Sequence, residues 1–203
     1  MKKFVSIFIV VSLVALVFFS PAIAQSFEEE VYIFQTVDDP AVPYDPEVLE
    51  QAPFWGNQVL YPGEWDAVTP PPNVVPLGAS LWAINTRSKD GKVVKQKVRQ
   101  IGTGTAVAVI TNPLFPPLEP SALAPFYFEA SIGDLDFTAN GKCIVTNNLL
   151  NSLGIVLVGC DLEVYPDFSQ GIIGGNATSN SVFNLGNPDF QTGSFWTLRL
   201  FRQ

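Results

Sequence analysis

Any acid–base chemistry in this 203-residue chain falls to carboxylates, because it holds 19 Asp and Glu, two Cys and no His. Without an imidazole, the Ser-His-Asp and Cys-His arrangements and the usual zinc sites are excluded. No phosphate-binding loop is present either: Gly102-x-Gly104 lacks a third glycine and a following helix. Asp134 and Asp136 flank Leu135, so on a strand they share one face, and Asp161 and Glu163 form a second such pair. Glycoside hydrolysis needs two carboxylates roughly 5–10 Å apart across a cleft, a spacing either pair meets. Most acidic i, i+2 pairs on strands face solvent, however, so the chain reads as non-catalytic. A carboxylate-based hydrolase or cyclase is kept as an alternative. Oxygen ligands at alternate strand positions would also suit calcium, but nothing in the pattern requires a metal or a cofactor.

Binding is the other chemistry these residue types support. Tyr44, Phe54, Trp55, Tyr61 and Trp65 fall in a stretch, residues 38–79, that also holds nine prolines. Prolines forbid regular ladders, and so many aromatics are foreign to a disordered linker. The stretch is therefore expected to be an ordered, irregular insert. Residues 45–50 (DPEVLE) would form a short helical turn within it, with proline at the first position. Exposed Trp and Tyr beside carboxylates stack on sugars or phenolic rings; the competing reading is that they anchor the insert to the core. Trp55, Tyr61, Trp65, Asp134 and Asp136 are the candidate ligand-binding residues.

The elements that must position them are strands. Over residues 126–165 the apolar residues alternate: Phe126, Phe128, Ala130 and Ile132 share a face, and after Gly133 the phase flips to Leu135 and Phe137. A slip of this kind at Gly133-Asp134 predicts a β-bulge. Asn140-Gly141 predicts a type I′ hairpin turn, with the return strand starting at Lys142. Later, Val156, Val158, Cys160, Leu162 and Val164 face inward, which leaves Asp161 and Glu163 wet. An exported chain with two cysteines most simply joins them, here Cys143 to Cys160, at a gain of roughly 3 kcal/mol. Two buried free thiols are the alternative.

Export is expected because residues 1–24 have the form of a secretory signal. Lys2 and Lys3 precede an apolar run from 4 to 19, and Ala22-Ile23-Ala24 is a small-x-small cleavage site. The run is shorter than the roughly 20 residues of a spanning helix; an uncleaved anchor is the alternative. The expected product is one secreted β domain, residues 25–203, extracellular or, in a Gram-negative bacterium, periplasmic, and free of the membrane once cleaved. Without the two leader lysines, nine basic residues face 19 acidic ones, a net charge of −10. Such a chain repels nucleic acid.

Six of the nine basic residues cluster at Arg87, Lys89, Lys92, Lys95, Lys97 and Arg99, around an Asp90-Gly91 hairpin turn. This hairpin face would meet an anionic glycan or another subunit's acidic edge in a homo-oligomer, or simply be a solvated face whose lysines blunt strand pairing. Residues 79–111 read as three strands, ASLWAIN, VVKQKVRQI and GTAVAVIT, and residues 112–125 as a proline-rich connection. Residues 171–176 read as a strand ending in a tight turn. Asn176-Ala177-Thr178 is a glycosylation sequon, expected in an exposed loop if the source is eukaryotic. Residues 27–37 open the sheet and residues 195–201 close it. Eight to ten strands with no long amphipathic helix predict an all-β antiparallel barrel, or alternatively a β-sandwich.

Several of these pieces together resemble the dirigent and allene-oxide-cyclase barrel superfamily. They are Val31-Tyr32-Ile33-Phe34, Gly102-Thr103-Gly104-Thr105, Gly141-Lys142-Cys143-Ile144-Val145 with Cys160-Asp161-Leu162, the Gly-Ile-Ile-Gly-Gly run, and the closing residues 195–200. The family's Gly-Gly-Thr-Gly turn would fall at residues 174–177, which lack its Thr-Gly, and the 38–79 insert has no counterpart. The resemblance implies an eight-stranded barrel around an apolar cavity. The expected function is thus a secreted, dirigent-like barrel that binds a small apolar or phenolic molecule. An extracellular carbohydrate-binding or matrix protein that takes a glycan on exposed aromatics is the alternative.

Overall fold

In the computed structural model, residues 27–38, 41–52, 74–89, 92–109, 123–184, 186–189 and 192–203 are described. Eight strands form one closed antiparallel barrel in which neighbours in sequence are neighbours in the sheet. They are β1 (Glu28–Asp38), β2 (Val74–Lys89), β3 (Lys92–Val109), β4 (Leu123–Ile132), β5 (Leu135–Leu149), β6 (Ile155–Val164), β7 (Ile172–Asn184) and β8 (Gly193–Arg202). Among the described residues two short helices interrupt them, α1 (Pro46–Gln51) and α2 (Leu150–Leu153). Closure comes from β8 returning to β1, with Arg202 opposite Glu28 and Trp196 opposite Phe34. A two-sheet sandwich, the alternative architecture, is thereby excluded.

Because side chains alternate across a strand, one face of every strand fills the barrel. Phe34, Leu81, Ala106, Phe128, Phe137, Leu162, Ala177, Trp196 and Leu198 all point inward and are buried in one cluster. A smaller cluster lies outside the wall. Val48, Leu49 and Ala52, in and just after α1, cover Val74, Val107, Val109 and Tyr127. Asp45 caps α1, accepting from the Glu47 amide at 2.9 Å, and Pro46 occupies the first turn as expected. The Asp45 amide donates to Thr105 Oγ1 on β3 at 2.8 Å, which ties the helix to the wall.

Four expectations change. Asn140-Gly141 is no turn but the middle of β5, and the chain reverses instead at Gly133-Asp134, where a bulge was expected. Gly133 has φ +62°, the left-handed conformation that glycine tolerates. Gly141 is glycine for a different reason: a Cβ there would collide with the Asp161 carbonyl oxygen of β6. The second and third strands expected in residues 79–111 are one, β3, which runs unbroken through residues 102–105. The prolines did not keep residues 76 and 125 out of the sheet. Pro76 lies where β2 pairs only with β3 among the described residues, because β1 stops at Asp38 opposite Ala79, and such a one-sided stretch tolerates proline. Pro125, third in β4, pairs only with Lys142 of β5 among the described residues, because the ladder to β3 ends at Ala108 opposite Phe126. Finally, residues 172–184 form one strand, so the Asn176 sequon sits in a ladder between Glu163 and Arg199 rather than in a loop.

Candidate functional site

The barrel has two ends of different character. The upper end carries α1, α2 and the β7–β8 connection. The lower end carries the β2–β3 hairpin, the Gly133-Asp134 turn, the β6–β7 loop, and the paired residues Glu28 and Arg202.

Aromatic rings gather at the waist. Trp196 lies 5.3 Å from Phe128 and 6.5 Å from Phe34, both stacked, and 6.2 Å from the tilted ring of Phe126. Phe137 meets Phe128 edge-on at 5.6 Å. Such offset and edge contacts are the favourable aromatic geometries. The indole N–H of Trp196 donates to Thr36 Oγ1 at 3.1 Å, so this buried ring leaves no polar group unpaired.

Above the rings the inward residues become small or hydroxylated. Ala79, Ala106 and Ala108 line one side, Ser179, Ser181 and Ser194 the other. Ser181 and Ser194 hydroxyls are 2.6 Å apart and Ser179 lies 3.3 Å from Ser181, a ladder of hydroxyls on one wall. Cys143 and Cys160 are opposite one another on β5 and β6 and joined in a disulfide, their side chains inward beside Ser179. Leu77, Ala108, Ala124, Val158 and Phe183 also point inward, yet each is only half-buried. Solvent thus reaches apolar side chains that face the barrel axis.

The lower floor is polar and paired. Tyr32 donates to Glu30 at 2.6 Å, and Arg202 bonds Glu30 at 3.0 Å and the Gln170 carbonyl at 2.7 Å. The Tyr32 hydrogen bond, then the Arg202 bond and charge, hold Glu30 below the usual carboxylate range. Burial, reinforced by Glu30, pushes Tyr32 up to about 12.

No protein-family model, curated protein or solved structure matches the chain.

Outside the wall, next to that floor, lies a groove of about 650 Å³ lined by Glu129, Asp134, Asp136, Thr138, Tyr165, Asp167 and Gln170 among others. It holds both carboxylates singled out from the sequence, one from the β4–β5 turn and one from β5. Gln170 builds its side: the amide accepts from the Asp136 N–H at 2.9 Å and donates to the Asp136 carbonyl at 2.9 Å and to Asp167 at 2.7 Å. Asp136 is also bonded by the Ser131 hydroxyl. Bonds from Ser169 and Gln170 hold Asp167 below its ordinary range. Glu129 behaves oppositely, raised by burial and further by the charges of Asp45 and Asp136, against a 3.0 Å bond from the Tyr127 hydroxyl. Among the described residues no group of three or more Asp, Glu, Cys or His is placed to hold a metal ion.

Trp55, Tyr61 and Trp65 lie outside the described residues. Asp161 and Glu163 are exposed on the outer face of β6, apart from the groove. The Trp196 cluster and the serine ladder were not singled out beforehand. Their signal was present in the alternation of β8 and in Ser179-x-Ser181, but only closure of the sheet brings β7, β8 and β1 together.

Proposed function

We propose that the chain is a secreted, non-catalytic, dirigent-like barrel that holds a small apolar or phenolic molecule in the upper half of its interior. The observation that carries this reading is the set of half-buried inward side chains, Leu77, Ala108, Ala124, Val158 and Phe183, above a floor of stacked rings. Apolar surface that stays open to water inside a closed wall gains by taking up an apolar ligand. The serine ladder supplies donors and acceptors for one hydroxyl on that ligand, and the disulfide suits an oxidising compartment.

The test is titration of the purified protein with a panel of simple phenols and their ring-only analogues, followed by Trp fluorescence and by calorimetry. Saturable binding in the wild type, lost in Ala108→Phe, which sets a further ring among the half-buried inward side chains opposite Phe126, is expected. Trp196→Phe should keep the heat of binding and lose most of the fluorescence change. The same affinity in Ala108→Phe and wild type, or no saturable heat with any member, would overturn the proposal.

A further inference from the structure

The β2–β3 hairpin leaves the barrel. β2 pairs with β1 only down to Ala83, and β3 pairs with β4 only from Gly102 upward. Below those points residues 84–89 and 92–97 pair with each other alone, a two-stranded ribbon reaching roughly 20 Å at about 3.3 Å per residue. Its root is pinned by Lys97, whose ammonium lies 3.9 Å from the centre of the Trp82 ring. Five basic residues in sequence fall on this arm, Arg87, Lys89, Lys92, Lys95 and Lys97, and Arg99 follows just above its root. Both edges of the ribbon are free of strand partners among the described residues, and an isolated two-stranded ribbon is marginal in water.

At the same lower end lies the carboxylate groove, with no Lys or Arg among the residues that line it. Phe168, 77% exposed, stands in the β6–β7 loop that forms its side, and Val98, 52% exposed, stands at the arm's root on β3. Cationic ribbon and anionic groove are therefore complementary in charge, and each carries an unburied apolar group. We propose that the arm docks in the groove of a second copy of this chain, and the groove of the first copy receives the partner's arm. Because both surfaces occupy one end of the barrel, a two-fold axis satisfies both contacts at once and the assembly closes as a dimer. An acidic polymer is the less favoured occupant of the arm, since it offers no apolar group to meet Val98 and the chain's net charge of −8 repels it.

Sedimentation velocity of the purified protein at about 50 mM and about 500 mM salt tests this, because the screening length falls from above 10 Å to a few Å. A dimer at low salt that dissociates at high salt is expected. Repulsion between two acidic barrels has the opposite sign and would make association stronger as salt rises. Lys92→Glu with Lys95→Glu, and separately Asp134→Lys with Asp136→Lys, should each leave a monomer at low salt. Combining all four substitutions should restore the dimer, a rescue that misfolding cannot mimic. A monomer at low salt and high protein concentration overturns the proposal. So does a dimer that neither pair of substitutions weakens, or a wild-type monomer whose arm is needed only for retention on heparin.

Discussion

Glu129 stands half-buried beside Tyr127, and Glu30 stands on the barrel floor between Tyr32 and Arg202; the two carboxylates answer pH in opposite directions. Glu129 binds its proton more tightly folded than unfolded, so its ionised form costs stability near neutral pH, a cost relieved as pH falls toward its ordinary value of 4.5. Glu129→Gln should raise stability at pH 7 by about 0.5 kcal/mol after allowance for solvent screening, and the gain should vanish near pH 4. Glu30 is depressed, so its contribution is fully present above 4.5 and is lost as pH drops through its lower folded value. Glu30→Gln should cost about 0.5–1 kcal/mol at pH 7 and little in acid. Denaturant melts of both variants across pH 3–7 check the crossing trends. Gly141 shows what the sequence hides at this scale. Asn-Gly between alternating residues is a sound turn signal, and only the approach of the Asp161 carbonyl reveals a glycine chosen for lack of a Cβ. Gly141→Ala should therefore destabilise by about 1–3 kcal/mol, as overpacking does. In a two-residue turn it would cost through positive φ instead, a difference that a structure of the variant settles.

Among the elements, β5 and β6 are joined twice, by a ladder from Ala139 opposite Val164 to Leu149 opposite Ile155 and by the disulfide. Replacing both cysteines with alanine should cost roughly 3 kcal/mol, a fall in Tm on the order of 10 °C, with far-UV dichroism retained. Helix α1 depends on its cap, and Asp45→Ala should cost about 1 kcal/mol and loosen the cover over Tyr127. Alternation made most strands legible, since Phe126, Phe128 and Ala130, or Trp196, Leu198 and Leu200, repeat every second residue. Strand ends were less so. Gly102 and Gly104 looked like a break between two strands, but each is glycine because β4 packs against it, Ser131 at the first and Phe128 at the second. Proline misled for a related reason: its cost depends on whether a neighbour needs its missing N–H, and pairing partners are not written in local sequence.

At the scale of the molecule, closure was the inference that pattern supported but did not decide. Strand count suits a barrel and a sandwich equally; the ladder between β1 and β8 selects the barrel. The candidate site was legible only in part, because Asp134 and Asp136 could be picked out as a pair, whereas the proposed interior site would draw on β2, β3, β4, β6, β7 and β8 and has no sequence motif. The wall is also uneven. Among the described residues the β1–β2 register runs over five residue pairs, from Phe34 opposite Ala83 to Asp38 opposite Ala79, whereas β5 and β6 match over ten. Within the closed wall, amide exchange should accordingly be faster along residues 79–83 than along β5 and β6. A barrel with one short joint is a cylinder with a door. β1 would swing out on its longer ladder to β8 as on a hinge, opening a lateral path to the rings without disturbing the upper rim. The latch of that door is the short ladder itself, from Phe34 opposite Ala83 to Asp38 opposite Ala79, while the Thr36–Trp196 hydrogen bond and the Phe34–Trp196 stack hold the hinge side.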